Sequence, residues 1–185
     1  MDLLRYSSAI VFAIELFLLS FLIHELGHAA AIRITMGRNK IQEIGVGSWT
    51  IVRKGIFKIG VLPTWGYVMF AEDQATPEMR RIIAVAGPVA SALAAALFEL
   101  LSILEKSPHW AMVMHTMALA NLAICGFNLI PVPPLDGWKV IETYLPTFGV
   151  HLSKRQRATM YQWGSVIVIV GSCLAVVFFG PYHGS

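Results

Sequence analysis

Three stretches of this 185-residue chain hold no Asp, Glu, Lys or Arg: Ile82–Phe98, Ser107–Leu135 and everything from Ala158 onward. Runs of that length limit the fold severely. About 20 mostly apolar residues cross the hydrocarbon core of a bilayer as a helix. In lipid each backbone amide must find its partner within the protein, which leaves helices and closed barrels as the spanning forms. Charged residues make up only 14% of the chain, whereas a soluble domain carries about a quarter, and this argues against a water-soluble bundle. Four spans follow: about Ser7–Ile32, Ile82–Leu104, Trp110–Ile130 and Tyr161–Phe179. The sequence thus predicts an all-α polytopic membrane protein, residues 1–185 forming one membrane-embedded domain.

Lysine and arginine orient the helices. Between the first two spans lie Arg33, Arg38, Lys40, Arg53, Lys54, Lys58, Arg80 and Arg81, and after the third come Lys139, Lys154, Arg155 and Arg157. The opposite side holds only Arg5 and Lys106. Cytoplasmic loops collect Lys and Arg, so the asymmetry predicts both termini outside and both basic loops inside. The net charge of +3 resides in those loops. It reads as a topology and anionic-lipid signal, with no nucleic-acid partner expected. Cys125 and Cys173 fall in apolar spans without a CxxC spacing, so they indicate neither a metal pattern nor a redox compartment. The first span is too long for a signal peptide and lacks a clear small-residue cleavage site.

That first span carries His24-Glu25-Leu26-Gly27-His28, an HExxH motif. Two histidines four residues apart project from one face of a helix. Both imidazoles then reach a single zinc, with the intervening glutamate beside it to take a proton from water. An ionisable side chain at membrane depth costs on the order of 3 kcal/mol or more, and three stand here within one turn. Such a concentration points to chemistry; the bland alternative is a polar cluster paired with a neighbouring helix.

A catalytic zinc usually has three protein ligands and a water. After His28 comes Ala29-Ala30-Ala31-Ile32, so the HExxHxxGxxH form is absent. Glu43 and Glu72 are conceivable third ligands, but both sit in the loop between spans. Asp136 fits better. It closes Asn128-Leu129-Ile130-Pro131-Val132-Pro133-Pro134-Leu135-Asp136-Gly137, where three prolines end the third span by removing amide donors, and Asp-Gly reads as a turn. Broken backbone at membrane depth is tolerated where it lines a cavity. His28 stands five residues before Arg33, about 8 Å from the inner end of its span by helical rise, and the third span runs inward to deliver Asp136 at the same face. One Zn²⁺ per chain is expected on His24, His28 and Asp136, with Glu25 as catalytic base; a metal-free Asp-Gly turn is the alternative.

The chain resembles the site-2 protease family of intramembrane zinc metalloproteases. HELGH and NLIPVPPLDG look like that family's two zinc motifs in order, and Ala86-Gly87-Pro88-Val89-Ala90-Ser91 is similar to its AGP segment, with Gly87 and Ser91 in a GxxxS spacing. Pro63-Thr64-Trp65-Gly66-Tyr67-Val68 resembles its PLGGYV loop, departing at Thr64 and Trp65, and Trp138-Lys139 departs from the common Gly-Arg after Asp-Gly. The departures bear on the subgroup, since none falls on a proposed ligand. The likeness covers about Ile14–Val140 and implies a minimal form: a three-helix protease core plus one helix, without PDZ or CBS domain. It implies an intramembrane endopeptidase acting on single-span membrane proteins, often trimmed beforehand by another protease. Gly87, Pro88 and Ser91 then support the site by close helix approach and local unwinding. The small size favours a prokaryotic plasma membrane, with the active site near the cytoplasmic face.

Residues 41–70 alternate and break at Lys54-Gly55, predicting a small cytoplasmic-side β-hairpin of Ser48–Arg53 against Ile56–Val61. In the family a corresponding hairpin dips toward the site, and an exposed edge at Ile59 and Val61 would take an extended substrate as an added strand; an ordinary membrane-surface hairpin is the alternative. Asn128 is expected to hold a substrate carbonyl or the Leu-Asp-Gly loop, or to make a plain interhelical hydrogen bond, and Asn121 reads as interhelical glue. Glu15, Glu99 and His115 each fall about 7–12 Å inside the outer end of a different span by helical rise, a candidate outer polar cluster. Two rivals stand beside the protease: a non-catalytic zinc-binding scaffold, which has no need of Glu25, and a metal-ion transporter, which needs ligands along a pore.

Overall fold

The computed structural model describes residues 2–179, with side chains placed for 11–62 and 65–171. In chain order they form α1 (Asp2–Thr35), β1 (Ile41–Lys54), β2 (Phe57–Phe70), α2 (Pro77–Leu104), α3 (Pro108–Asn128), α4 (Asp136–Glu142) and α5 (Lys154–Phe179). α2 starts before the expected Ile82 because Thr76 caps it. The Thr76 Oγ1 accepts from the Met79 amide at 3.2 Å, and Pro77 fills the first helical position, where its missing amide is not needed. Arg80 and Arg81 therefore lie in the first turns of the helix. α3 ends at Asn128, two residues short of the expected Ile130, as the following prolines require.

Three helices among the described residues are long and apolar enough to cross a membrane: Val11–Thr35, Pro77–Leu104 and Pro108–Asn128. The expected fourth span, 161–179, falls within α5, and the side chains of 172–179 lie outside the described residues. Leu93 and Ile103 on α2 are 68% and 73% exposed, and faces this apolar suit lipid rather than water.

α1 crosses α2 at backbone contact. A Cβ on Gly27 would stand 2.5 Å from the Ala86 carbonyl oxygen and 2.6 Å from Ala90 Cβ, so only glycine allows this approach. Gly27→Val should destabilise the fold by about 1–3 kcal/mol, the usual cost of overpacking. A detergent thermal melt checks it, and an unchanged midpoint would refute the close crossing. α1 meets α3 through a buried polar pair. Asn121 Nδ2 donates to Ser20 Oγ at 3.1 Å and to the Met117 carbonyl at 2.9 Å, the interhelical bond expected of it.

The hairpin is longer than Ser48–Arg53 and Ile56–Val61, and it folds over itself. β1 bends at Gly47, whose φ of 77° is left-handed and costs glycine little. Residues 44–46 consequently pair with 66–68 on one side and 57–59 on the other, while 48–54 pair with 57–62. Ile59 has partners in both Val46 and Val52. The open edge expected at Ile59 is therefore not an edge; among the described residues 66–70 are paired on one side only, against 41–46. Glu43 fastens this sheet, pairing with Lys58 Nζ at 2.7 Å and accepting from Tyr67 Oη at 2.6 Å. The Lys58 hydrogen bond first, then that of Tyr67, holds the Glu43 carboxyl below the usual carboxylate range.

Candidate metal centre

His24 and His28 stand one turn apart on α1, ring centroids 4.8 Å apart and planes at 81°. Both are buried, as are Glu25 and Asp136. Asp136 opens α4, and its Oδ2 lies 3.0 Å from His24 Nε2 and 3.1 Å from His28 Nε2. The two Nε2 atoms are 3.2 Å apart. Three donor atoms thus converge from residues more than 100 positions apart along the chain.

α2 aims both rings. His28 Nδ1 lies 2.6 Å from the Ile83 carbonyl oxygen. A carbonyl only accepts, so Nδ1 carries a proton, and in its neutral form the ring turns a lone pair inward at Nε2. His24 Nδ1 meets the buried Ser91 Oγ at 3.0 Å. Pro88 lies inside α2 between these two contacts. Having no amide, it leaves the Ala84 carbonyl without its helical partner and loosens the turn from which Ile83 reaches α1. Gly87 faces the rings: a Cβ there would strike His28 Nε2 and come within 2.7 Å of His24 Nε2.

These residues fit a zinc ion. With the His28 Nδ1 proton engaged outward by a carbonyl and His24 Nδ1 turned outward onto the Ser91 hydroxyl, the two Nε2 atoms and a carboxylate oxygen face one another, buried, across 3.0–3.2 Å. Such a group repels itself unless a cation or proton lies within it. Two histidines and one carboxylate are a donor set of catalytic zinc, and the missing side chain at Gly87 leaves room beside them. Asp136 Oδ1 accepts from Lys139 Nζ at 2.9 Å, so Oδ2 is the oxygen free to ligate. Glu43 and Glu72, the other third-ligand candidates, are engaged elsewhere, Glu43 in the sheet and Glu72 by Arg157 at 3.1 Å. β2 runs directly against the proposed base. A Cβ on Gly66 would lie 2.5 Å from Glu25 Oε1.

The sequence profile of peptidase family M50 matches residues 12–108 and 102–171. The chain belongs to peptidase family M50. A zinc metalloprotease of Methanocaldococcus jannaschii is 30% identical to this M50 chain over 139 residues, covering 73% of it and 35% of that protein. A second protein of the same archaeon, provisionally named a zinc metalloprotease, is 35% identical over 80 residues, 42% of this chain and 41% of its own length. The solved structure of a site-2 protease from that organism shares the fold, with a TM-score of 0.61 at 22% identity over 88% of this chain and 66% of the other. The resemblance to site-2 proteases thus holds. The chain spans about two fifths or less of the curated relatives it matches. M50 membership and three apolar helices together make it a multi-pass integral membrane protein.

Not every expected residue of this M50 chain meets at the centre. Gly87 and Ser91 do, against the two rings, and Pro88 is buried inside α2 between Ile83 and Ser91. Asn128 Nδ2 donates to its own helix at the Ile124 carbonyl, 3.0 Å away, and among the described residues it has no bond to the His–Asp group. Glu99 Oε2 and His115 Nδ1 pair at 2.8 Å on the half-exposed outer faces of α2 and α3. Glu15 is exposed on α1 and has no ion pair among the described residues, so the outer cluster is a pair rather than a triad. Lys139 and Gly66 were not among the expected site residues. The i, i+3 spacing of Asp136 and Lys139 on one helical face is the signal for the first.

Proposed function

We propose that this chain is a zinc-dependent intramembrane endopeptidase, one zinc held by His24, His28 and Asp136 and Glu25 acting as catalytic base. The convergence of two Nε2 atoms and Asp136 Oδ2 within 3.0–3.2 Å carries this reading. Zinc in such a site supplies Lewis acidity for attack of water on a peptide carbonyl. Glu25 accepts the proton of the attacking water and returns it to the leaving amine. The Ile83 carbonyl fixes the His28 tautomer, Ser91 holds the His24 ring by its Nδ1, and Lys139 keeps Asp136 single-toothed by occupying its other oxygen.

The substrate is a single-span membrane protein, often trimmed beforehand by another protease, and cut near the cytoplasmic face to release a fragment. An intact helix hides its peptide bonds, so helix-breaking residues favour cleavage. The unwound segment adds as a strand along 66–70, whose free edge runs beside Glu25 at Gly66. The Lys and Arg asymmetry supports both termini outside and the hairpin toward the cytoplasm of a prokaryotic plasma membrane, from which water reaches the centre. A non-catalytic scaffold leaves the buried Glu25 without a task.

Zinc content of detergent-purified wild type and Asp136→Ala tests the reading without knowledge of the substrate. Wild type should hold one zinc per chain, and the variant should bind it more than about 100-fold more weakly, beyond the usual effect of losing an outer partner. Zinc-free, folded wild type would overturn the proposal.

A further inference from the structure

Among the described residues α5 supplies no atom to the metal centre, yet it grips the segment that carries Asp136 on both sides. We propose that Arg157, Tyr161 and Gly164 of α5, acting through Glu142 and Pro133, are positioning residues that set the place of Asp136. The inference rests on the reading of Asp136 as a ligand.

Asp136 begins a helix of seven residues, too short to hold its own shape in isolation. It follows a loop with three prolines, so its position has to come from neighbours. One neighbour is the end of α3: a Cβ on Gly137 would strike the Leu129 carbonyl oxygen. The others come from α5. At the far end of α4, Glu142 receives a two-toothed contact from Arg157, Nε to Oε1 at 2.7 Å and Nη2 to Oε2 at 3.1 Å. Tyr161 Oη donates to the same Oε2 at 2.8 Å. On the near side of Asp136, Gly164 is buried against the loop, where a Cβ would strike the Pro133 carbonyl oxygen.

Positions 157, 161 and 164 share one helical face. A single face of α5 therefore holds residues three before and six after the ligand. The Arg157–Glu142 fork is directional as well as strong, because guanidinium and carboxylate match in plane and spacing. The Glu142 side chain is only 11% exposed, so without Arg157 its charge would be left buried and unpaired. Arg157 Nη2 also reaches Glu72 Oε1 at 3.1 Å in the turn before α2. From α2 itself, Arg81 stacks on the Tyr144 ring at 4.5 Å, just past α4. The ligand segment is thus fastened to the helices that hold His28 and His24 in place.

The test uses the full-length protein in detergent, with Arg157→Gln, Gly164→Val and the milder Tyr161→Phe. Zinc affinity is read by competition with a chelator, ligand geometry by the visible spectrum of the cobalt-substituted protein, and integrity by the thermal midpoint of the zinc-free form. Arg157→Gln and Gly164→Val should weaken zinc about 10–100-fold, the range for outer partners of a metal ligand. Tyr161→Phe should weaken it less, and all three should alter the cobalt spectrum. Against a reporter substrate, kcat should fall with KM little changed. Wild-type affinity and spectrum in all three would overturn the brace, as would zinc loss that only follows a lowered zinc-free midpoint. Asp136→Ala separates the two readings. If it keeps wild-type zinc affinity, the ligand assignment fails; if it alone loses zinc, only the brace fails.

Discussion

The Glu25→Gln protein should hold zinc as tightly as wild type and cleave about 10²–10⁴-fold more slowly, the usual contribution of a positioned acid–base group. The two properties separate because Glu25 is not one of the three converging donors. Its carboxylate is buried against β2, where Gly66 leaves it room. Glutamine fills the same volume and cannot take up a proton. Replacing a buried carboxylate by a neutral amide also removes a desolvated charge, so the variant should melt no lower than wild type. Cleavage of a single-span reporter in proteoliposomes, beside metal analysis of the same preparation, makes the comparison. Undiminished cleavage would remove Glu25 from the mechanism, and loss of zinc would make it a ligand.

A second large effect is expected at a residue with no functional group. Gly87→Val should reduce zinc affinity by about 10²–10⁴-fold, the product of disturbing two ligand rings at 10–100-fold each. The Cβ alone strikes His28 Nε2 and approaches His24 Nε2 within 2.7 Å, and the branched methyls reach further. Helix propensity cannot account for such a loss, since glycine is the poorer helix former of the two. Gly126 on α3 provides the control, because a Cβ there meets nothing within 4 Å. Gly126→Val should keep its zinc. Equal zinc binding by both variants would mean that α2 does not face the rings as described.

The parts of this molecule that the chain reveals by itself are those governed by spacing and depth. His24 and His28 declare themselves by the four-residue period of a helix, and Asp136 by following the proline-ended third span, which the charge asymmetry returns to the same face as His28. The turn at Lys54-Gly55 was likewise legible. What was not legible depends on azimuth and on long-range contact. Helical rise puts Glu15, Glu99 and His115 at similar depth, yet rotation about the helix axis decides which of them meet, and only Glu99 and His115 pair. The fold-over of β1 at Gly47 buries the Ile59 edge, and nothing in the local alternation marks that bend. Glu142 and Arg157 are fifteen residues apart across a turn, so no helical period joins them. Gly66 and Gly164 are defined by what lies opposite them, which a sequence does not display.

The separation of His24 from Asp136 by 112 positions also governs when the three donors can first meet. A chain emerging into the membrane presents HExxH in its first helix, but the third donor follows only after the hairpin and two further spans. Contacts so distant form late, after the intervening segments have found their places. A partly inserted chain thus has two histidines and no complete cage, and on the proposed reading it would lack hydrolytic power. A metal held there would tie α1 to α4, and its binding free energy would become folding free energy. Stripping the zinc should loosen the bundle as well as silence it.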